Sequence, residues 1–234
     1  MSHGPARHGP AGEREEGAER ASGMGGEGRE APSSAVAREY RRLARAYDER
    51  WAGYLRETVR MTLQALGPQA GDRILDVGCG TGLVLRQVQG EVDRASLHGS
   101  DLSPAMLQVA GERLEGRVRL LQARAEVLPY ADESFDAVIS SSVLHYVPEP
   151  EAALGEVRRV LRPGGRLVLT DWSRDYLAMK ILDAWLRWRD PAHVRTHSRA
   201  SVVAMLEEVG LRPLSVDEGR APPLWGIMTV AARR

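Results

Sequence analysis

The stretch Ile74-Leu75-Asp76-Val77-Gly78-Cys79-Gly80-Thr81-Gly82 constrains the fold of this 234-residue chain more than any other. An apolar run enters three glycines at alternate positions, and a helical segment, Leu83 to Gln89, follows at once. Glycine lets the backbone turn tightly and approach a ligand closely, while a helix N-terminus presents unpaired N–H groups to a carboxylate or phosphate. Strand, glycine turn and helix in that order open a βαβ unit, and the turn calls for a negative or strongly polar ligand. Dinucleotide enzymes space their glycines G-x-G-x-x-G. Here the third glycine falls one residue earlier, with Leu83 in its place, which weighs against a nicotinamide-dependent dehydrogenase.

Beyond Gly71 short aliphatic runs alternate with helix-length segments. The strands are expected at Arg73 to Val77, Ser96 to Ser100, Val118 to Gln122, Phe135 to Ser140 and Arg166 to Asp171, with helices at Leu83 to Gln89, Pro104 to Leu114 and Glu149 to Leu161. A long helical stretch, Tyr176 to Arg189, a second from Ser198 to Val209, and two last strands near Arg212 to Val216 and Ile227 to Ala232 complete the pattern. The expected fold is α/β: a doubly wound, Rossmann-like, seven-stranded, mostly parallel sheet with an antiparallel edge strand and helices on both faces.

Residues 1–34 contain no Val, Leu, Ile, Phe, Tyr or Trp and cannot bury enough apolar surface to offset their ordering entropy, so they read as a disordered tail. The remainder, 35–234, reads as a single domain. Its parts are N-terminal helices at 35–70, a ligand-binding core at 71–171, a helical lid or acceptor region at 172–210 and edge strands at 211–234. In the first part Val36, Tyr40, Leu43, Tyr47, Trp51, Tyr54 and Leu55 recur at helical spacing, and a further helix from Glu57 to Leu66 stops at Gly67-Pro68.

About 25 residues beyond Asp76 the second strand ends in Gly99-Ser100-Asp101-Leu102-Ser103-Pro104. A carboxylate at that strand end can accept hydrogen bonds from both hydroxyls of a ribose, which makes Asp101 the candidate ribose ligand.

Charge narrows the partners. The 32 basic and 32 acidic residues cancel, so no global field draws the chain to nucleic acid or an anionic membrane, and a charged partner needs a local patch. One cysteine, Cys79, excludes an internal disulfide framework and agrees with a cytoplasmic location. No window approaches the roughly 20 apolar residues of a membrane-spanning helix. His193 and His197 lack a third ligand, so no metal is expected.

From Gly71 to Thr170 the chain resembles the core of the class I S-adenosylmethionine-dependent methyltransferases, in the ubiquinone/menaquinone-biosynthesis-type branch. The resemblance rests on the glycine loop at 74–82, the acid at 101, Leu128-Pro129-Tyr130 through Phe135-Asp136-Ala137-Val138, and Leu161-Arg162-Pro163-Gly164-Gly165-Arg166, in the family's order. It implies S-adenosylmethionine as cofactor, with Gly78, Cys79, Gly80 and Gly82 around its methionine part and Asp101 on the ribose. Leu102 would pack on the adenine, and the Ala125-Glu126 pair would meet its amine, with Glu126 where Asp is common. Ser140 and Ser141 would border the sulfonium, Asp76 would support the loop or reach the methionine ammonium, and Tyr47 would cap the cofactor from the N-terminal helix.

Methyl transfer needs a base only when the nucleophile carries a proton, and His145, shortly after the fourth strand, is the candidate, with Asp171 at the end of the fifth to orient it or the acceptor. The segment Ser140-Ser141-Ser142-Val143-Leu144 lacks the acidic residue or Asn, paired prolines and aromatic of enzymes that methylate exocyclic amines, and nucleic acid is not expected as a partner. Trp172 to His197 holds three of the five tryptophans, Trp172, Trp185 and Trp188, and reads as a lid over a small hydrophobic or aromatic acceptor. The competing reading is a methyltransferase-like, cofactor-binding protein that acts as a partner or assembly factor without turnover.

Overall fold

The structure, a computed structural model, describes residues 44–190, 193–222 and 225–234. The expected tail at 1–34 and the helix positions Val36, Tyr40 and Leu43 lie outside the described residues.

The chain runs α1 (Tyr47–Arg50), α2 (Ala52–Leu66), β1 (Arg73–Val77), α3 (Leu83–Glu91), β2 (Ser96–Asp101), α4 (Pro104–Arg113), β3 (Arg119–Gln122) and β4 (Phe135–Ser141). A 3₁₀ turn at Leu144–Tyr146 follows, then α5 (Pro150–Val160), β5 (Leu161–Trp172), α6 (Leu177–Arg189), α7 (Arg199–Glu208), β6 (Arg212–Ala221) and β7 (Trp225–Arg233). The strands form one seven-stranded sheet in the order β3-β2-β1-β4-β5-β7-β6, parallel throughout except for β7, which is antiparallel to both neighbours. The doubly wound expectation is met. The last two strands pair as a hairpin, with β7 slotted inside and β6 on the edge.

Strand alternation sorts the core into two layers. Ile74, Ala137, Ile139 and Val168 face Leu66, Leu85, Val88, Ala110 and Leu114 of the α2, α3 and α4 side. Leu75, Val77, Val138, Leu167 and Leu169 face Leu154, Val157, Val202 and Leu206 of the α5 and α7 side. Burying both faces is what makes β1 and β4 read as near-continuous apolar runs. The helix α2 is pinned over the sheet by a buried hydroxyl chain, in which Thr62 Oγ1 donates to Thr170 Oγ1 at 2.7 Å and Thr170 lies 3.0 Å from Thr229 Oγ1. It ends as expected at Gly67, whose φ of +48° suits a residue without a Cβ.

Three strands run several residues further than the sequence reading has them. The β5 strand begins at Leu161, because that residue pairs with Phe135 and the Arg162-Pro163-Gly164-Gly165 turn is absorbed by a register shift between Phe135 and Ala137. The strands β6 and β7 extend to Ala221 and Arg233, since each pairs with its neighbour over nearly its whole length.

Candidate active site

The turn after β1 is closed by β2. Gly78 and Cys79 N–H both donate to the Ser100 carbonyl, at 2.7 and 2.9 Å, and Gly80 N–H donates to Asp101 Oδ2 at 2.9 Å. The other carboxylate oxygen of Asp101 accepts from Ser103 N–H at 2.8 Å, which opens α4, where Ser103 caps the helix and Pro104 starts it. Gly78, Gly80 and Gly82 all have positive φ, at +73°, +52° and +77°, which explains glycine at each. A Cβ on Gly78 would lie 2.3 Å from Val143 Cγ2, so this glycine also makes room for the loop after β4.

Around this turn lies a cleft of about 1100 Å³, counting the part open to solvent. Its walls include Tyr47, Asp76, Gly78, Cys79, Gly80, Asp101, Leu102, Ala125, Glu126 and Ser141, ten of the expected cofactor residues. Gly82 and Ser140 are not among its walls. Gly82 serves packing instead, since a Cβ there would meet Leu114 and Ala110 of the α4 segment at 3.0 to 3.2 Å. Ser140 lies within the sheet, paired with Val77 and Leu169, and the cleft is reached one residue later.

Asp76 is a buried carboxyl on the cleft wall whose Oδ1 has no hydrogen-bond partner among the described residues. Burial, and then the nearby Asp101 carboxylate, push its pKa up to about 8. Burial also raises Asp101, against the opposing pull of its two backbone N–H donors. Two acids in one cleft, one of them unpartnered, suit a ligand carrying a cation and hydroxyls. S-adenosylmethionine fits that demand, with its ammonium for Asp76, its ribose hydroxyls for the remaining lone pairs of Asp101, and the glycine backbone for its carboxylate.

The N-terminal helices close the cleft. Asp48 accepts from Thr81 Oγ1 at 2.8 Å and is ion-paired with Arg113 of α4, which also donates to the Thr81 carbonyl at 2.7 Å. This clasp ties α1 to the glycine turn and sets Tyr47 into the wall.

His145 sits in the 3₁₀ turn after β4, buried, with Nδ1 2.5 Å from Asp171 Oδ1 at the end of β5. Asp171 in turn accepts from Trp172 N–H at 2.7 Å. Burial raises the Asp171 pKa, but the His145 charge and its hydrogen bonds outweigh burial and hold it below the ordinary carboxylate value. A proton on Nδ1 would face Asp171, and the other ring nitrogen, Nε2, has no partner among the described residues. The two expected catalytic residues are therefore brought together. Neither lines the cofactor cleft, whereas their neighbours Ser142, Val143 and Tyr146 do. The His145 ring stacks on Trp172 with centroids 4.0 Å apart, and His193, which pairs through Nε2 with Asp183 at 2.8 Å, lies 5.9 Å away.

The sequence reading missed Ser142 and Tyr54. Ser142 has φ +62°, a conformation an L-residue adopts rarely, and it is held there by its N–H on the Thr170 carbonyl and by its Oγ, 2.6 Å from the Tyr54 hydroxyl. The same Tyr54 hydroxyl accepts from Trp172 Nε1 at 2.8 Å. No local signal marks either residue, because the pairing spans 88 positions. Thr58, Thr81, Met106 and Tyr146 also line the cleft without having been expected to.

Residues 75–169 match the methyltransferase-domain family. Among curated proteins the chain is 38% identical over 152 residues to a demethylmenaquinone methyltransferase of Clavibacter sepedonicus, covering 63% of this chain and 61% of that protein. It is 37% identical over 136 residues to the ubiquinone/menaquinone biosynthesis C-methyltransferase UbiE of Azotobacter vinelandii, covering 54% and 53%. The chain thus spans between half and two thirds of the length of these relatives. Among solved structures, an S-adenosylmethionine-dependent methyltransferase from Mesorhizobium loti superposes with a TM-score of 0.64 at 23% identity, over 76% of this chain and 98% of that one. The sheet order, the glycine turn tied to the acid after β2, and these matches agree: residues 75–169 match the methyltransferase-domain family, and the chain shares the fold of S-adenosylmethionine-dependent methyltransferases and is similar in sequence to the ubiquinone/menaquinone-biosynthesis type.

Proposed function

We propose that this protein is an S-adenosylmethionine-dependent methyltransferase that methylates, at carbon, a small hydrophobic or aromatic acceptor of the quinone type that its relatives' names print, taken in its reduced, quinol form. One observation carries the reading: Asp101, held by the Gly80 N–H, and the unpartnered Asp76 face one cleft beside the turn that bears His145. When bound, the cofactor supplies an electrophilic methyl group on a sulfonium.

The chain's own residues supply position and proton handling. The glycine turn, Asp76 and Asp101 hold the donor; Tyr47 and the Asp48 clasp shield it from water, which favours an in-line displacement between fixed partners. A carbon ortho to a phenolic hydroxyl becomes nucleophilic as that hydroxyl loses its proton. Where the acceptor reaches past the wall of Ser142, Val143 and Tyr146, His145 behind it takes this proton at Nε2, and Asp171 fixes the tautomer and balances the imidazolium that results. Trp172, stacked on His145, and the apolar inner side of α6 supply the surroundings that favour a hydrophobic ring.

The test is calorimetric titration of S-adenosylmethionine into wild type and Asp101→Ala, followed by product analysis with a demethylated quinol. Cofactor binding that collapses in the variant, together with a ring-methylated product, supports the reading. A wild type that binds no S-adenosylmethionine overturns it. For the base, His145→Gln is expected to lower kcat by about 10²- to 10⁴-fold, with cofactor affinity unchanged.

A further inference from the structure

The outer face of α6 is apolar and uncovered among the described residues. Met179 and Asp183 are buried, and Tyr176, Leu182 and Leu186 pack against the Tyr54, Trp172 and Ile227 cluster. Leu177, Ile181, Trp185 and Trp188 point the other way, with exposures of 73, 65, 52 and 78%. They are four of the seven exposed large apolar side chains among the described residues, and all four belong to a single 13-residue helix. At roughly 100° per residue they fall within an arc of about 80°, so they form one continuous stripe.

Charge around the stripe has one sign. Lys180 and Arg187 flank it on one side and Arg189 on the other, all exposed, while the helix's only acid, Asp183, is turned inward to His193. The chain as a whole is neutral, so this cationic edge is a local feature that total charge conceals.

We propose that α6 is an interfacial helix that docks the protein on the surface of an anionic phospholipid bilayer. Leucine, isoleucine and tryptophan would enter the boundary between headgroups and acyl chains, and the lysine and arginines would meet lipid phosphates. Indole suits that boundary, having an apolar body and one polar N–H. A second copy of the chain fits less well. A two-fold interface across this stripe sets like charges of the two helices against each other, and no exposed acid on α6 compensates. No helix of the described residues is long and apolar enough to cross a membrane, so the contact is one of lying on the surface.

Docking is independent of cofactor binding, so the two can be measured apart. The full-length chain is sedimented with vesicles of phosphatidylcholine alone and of phosphatidylcholine with phosphatidylglycerol, and its tryptophan emission is recorded. Wild type is expected to partition onto the anionic vesicles with a blue shift, and to come off as salt is raised. Trp185→Ser/Trp188→Ser should lower partitioning at least about tenfold on both vesicle types. Lys180→Gln/Arg187→Gln/Arg189→Gln should lower it on the order of a hundredfold on the anionic vesicles only. Retained calorimetric binding of S-adenosylmethionine shows that each variant is folded. The assignment is overturned if wild type does not sediment with either vesicle, or if both variants partition as wild type does. A wild-type dimer in light scattering that Trp185→Ser/Trp188→Ser converts to monomer overturns it too, and gives the face to a second copy.

Discussion

Gly80 and Asp101 hold one another: the turn after β1 donates an N–H to the acid that closes β2, at 2.9 Å. Shape of the turn and position of the acid are therefore one variable. Asp101→Ala should weaken S-adenosylmethionine binding by about 10- to 150-fold, since hydrogen bonds to a charged group contribute on the order of 1.5–3 kcal/mol. Asp101→Asn keeps an oxygen for one of the two backbone donors and should fall between wild type and Ala. Calorimetry on the three proteins checks the order.

Asp76 makes the apo protein pH-sensitive. Its folded pKa, about 8, lies above the ordinary 3.8, so the native state binds the extra proton between those values. Stability from this group is therefore greatest at low pH and declines as pH rises from about 4 to about 8. Asp76→Asn removes that slope, and the melting temperature of the variant relative to wild type should be higher near pH 8 than near pH 6. An ammonium ligand needs the carboxylate, so cofactor binding near pH 7 should release about one proton in wild type and none through this site in the variant. Titration in buffers of different ionisation enthalpy reads that number directly.

Gly78 is caught between its own φ and Val143. Gly78→Ala adds a Cβ 2.3 Å from Val143 Cγ2 at φ +73°, and should destabilise by about 1–3 kcal/mol. Val143→Ala removes the colliding methyls, so the double variant should recover part of the loss but not the backbone strain. Urea denaturation of the four proteins in a cycle gives the coupling.

Tyr54 is the hub between α2, β5 and the strained Ser142. In Tyr54→Phe the Ser142 hydroxyl and the Trp172 indole N–H both lose their partner, at a cost of about 1–3 kcal/mol. Ser142→Gly, which relieves the positive φ, should by contrast be tolerated or mildly stabilising. Thermal melts of the two variants should move in opposite directions or differ by several degrees.

What could be read from the sequence was what is local. The β1 strand, the glycine turn and Asp101 carry their meaning within a few residues: an apolar run, backbone positions that need positive φ, and an acid before a capped helix. Tyr54 and Ser142 could not be found that way, because each looks ordinary until a packed α2 brings them within 2.6 Å. Ser140 and Ser141 are expected at the sulfonium, while the cleft is lined by Ser141 and Ser142, since strand period alone does not say where a strand stops facing the sheet and starts facing the cleft. The exposed stripe of α6 could not be read either, for a related reason: both its faces are apolar, and periodicity cannot say which one the sheet will cover. The sequence left open whether Asp171 serves the acceptor or His145; the structure pairs it with His145, whose ring stands behind the cleft wall.

The single reversed strand has a practical side. Because β7 runs against β5 and β6, Trp225 at its start joins Trp51, Tyr54 and Trp172 near the cleft, while its end returns to Gly164 and Gly165, where Arg234 exchanges backbone hydrogen bonds with both. Any peptide, dye or immobilising tether attached after Arg234 thus leaves from the blunt rim of the sheet and clears the mouth of the cleft. One attached on α1 itself sits beside the clasp that shuts it.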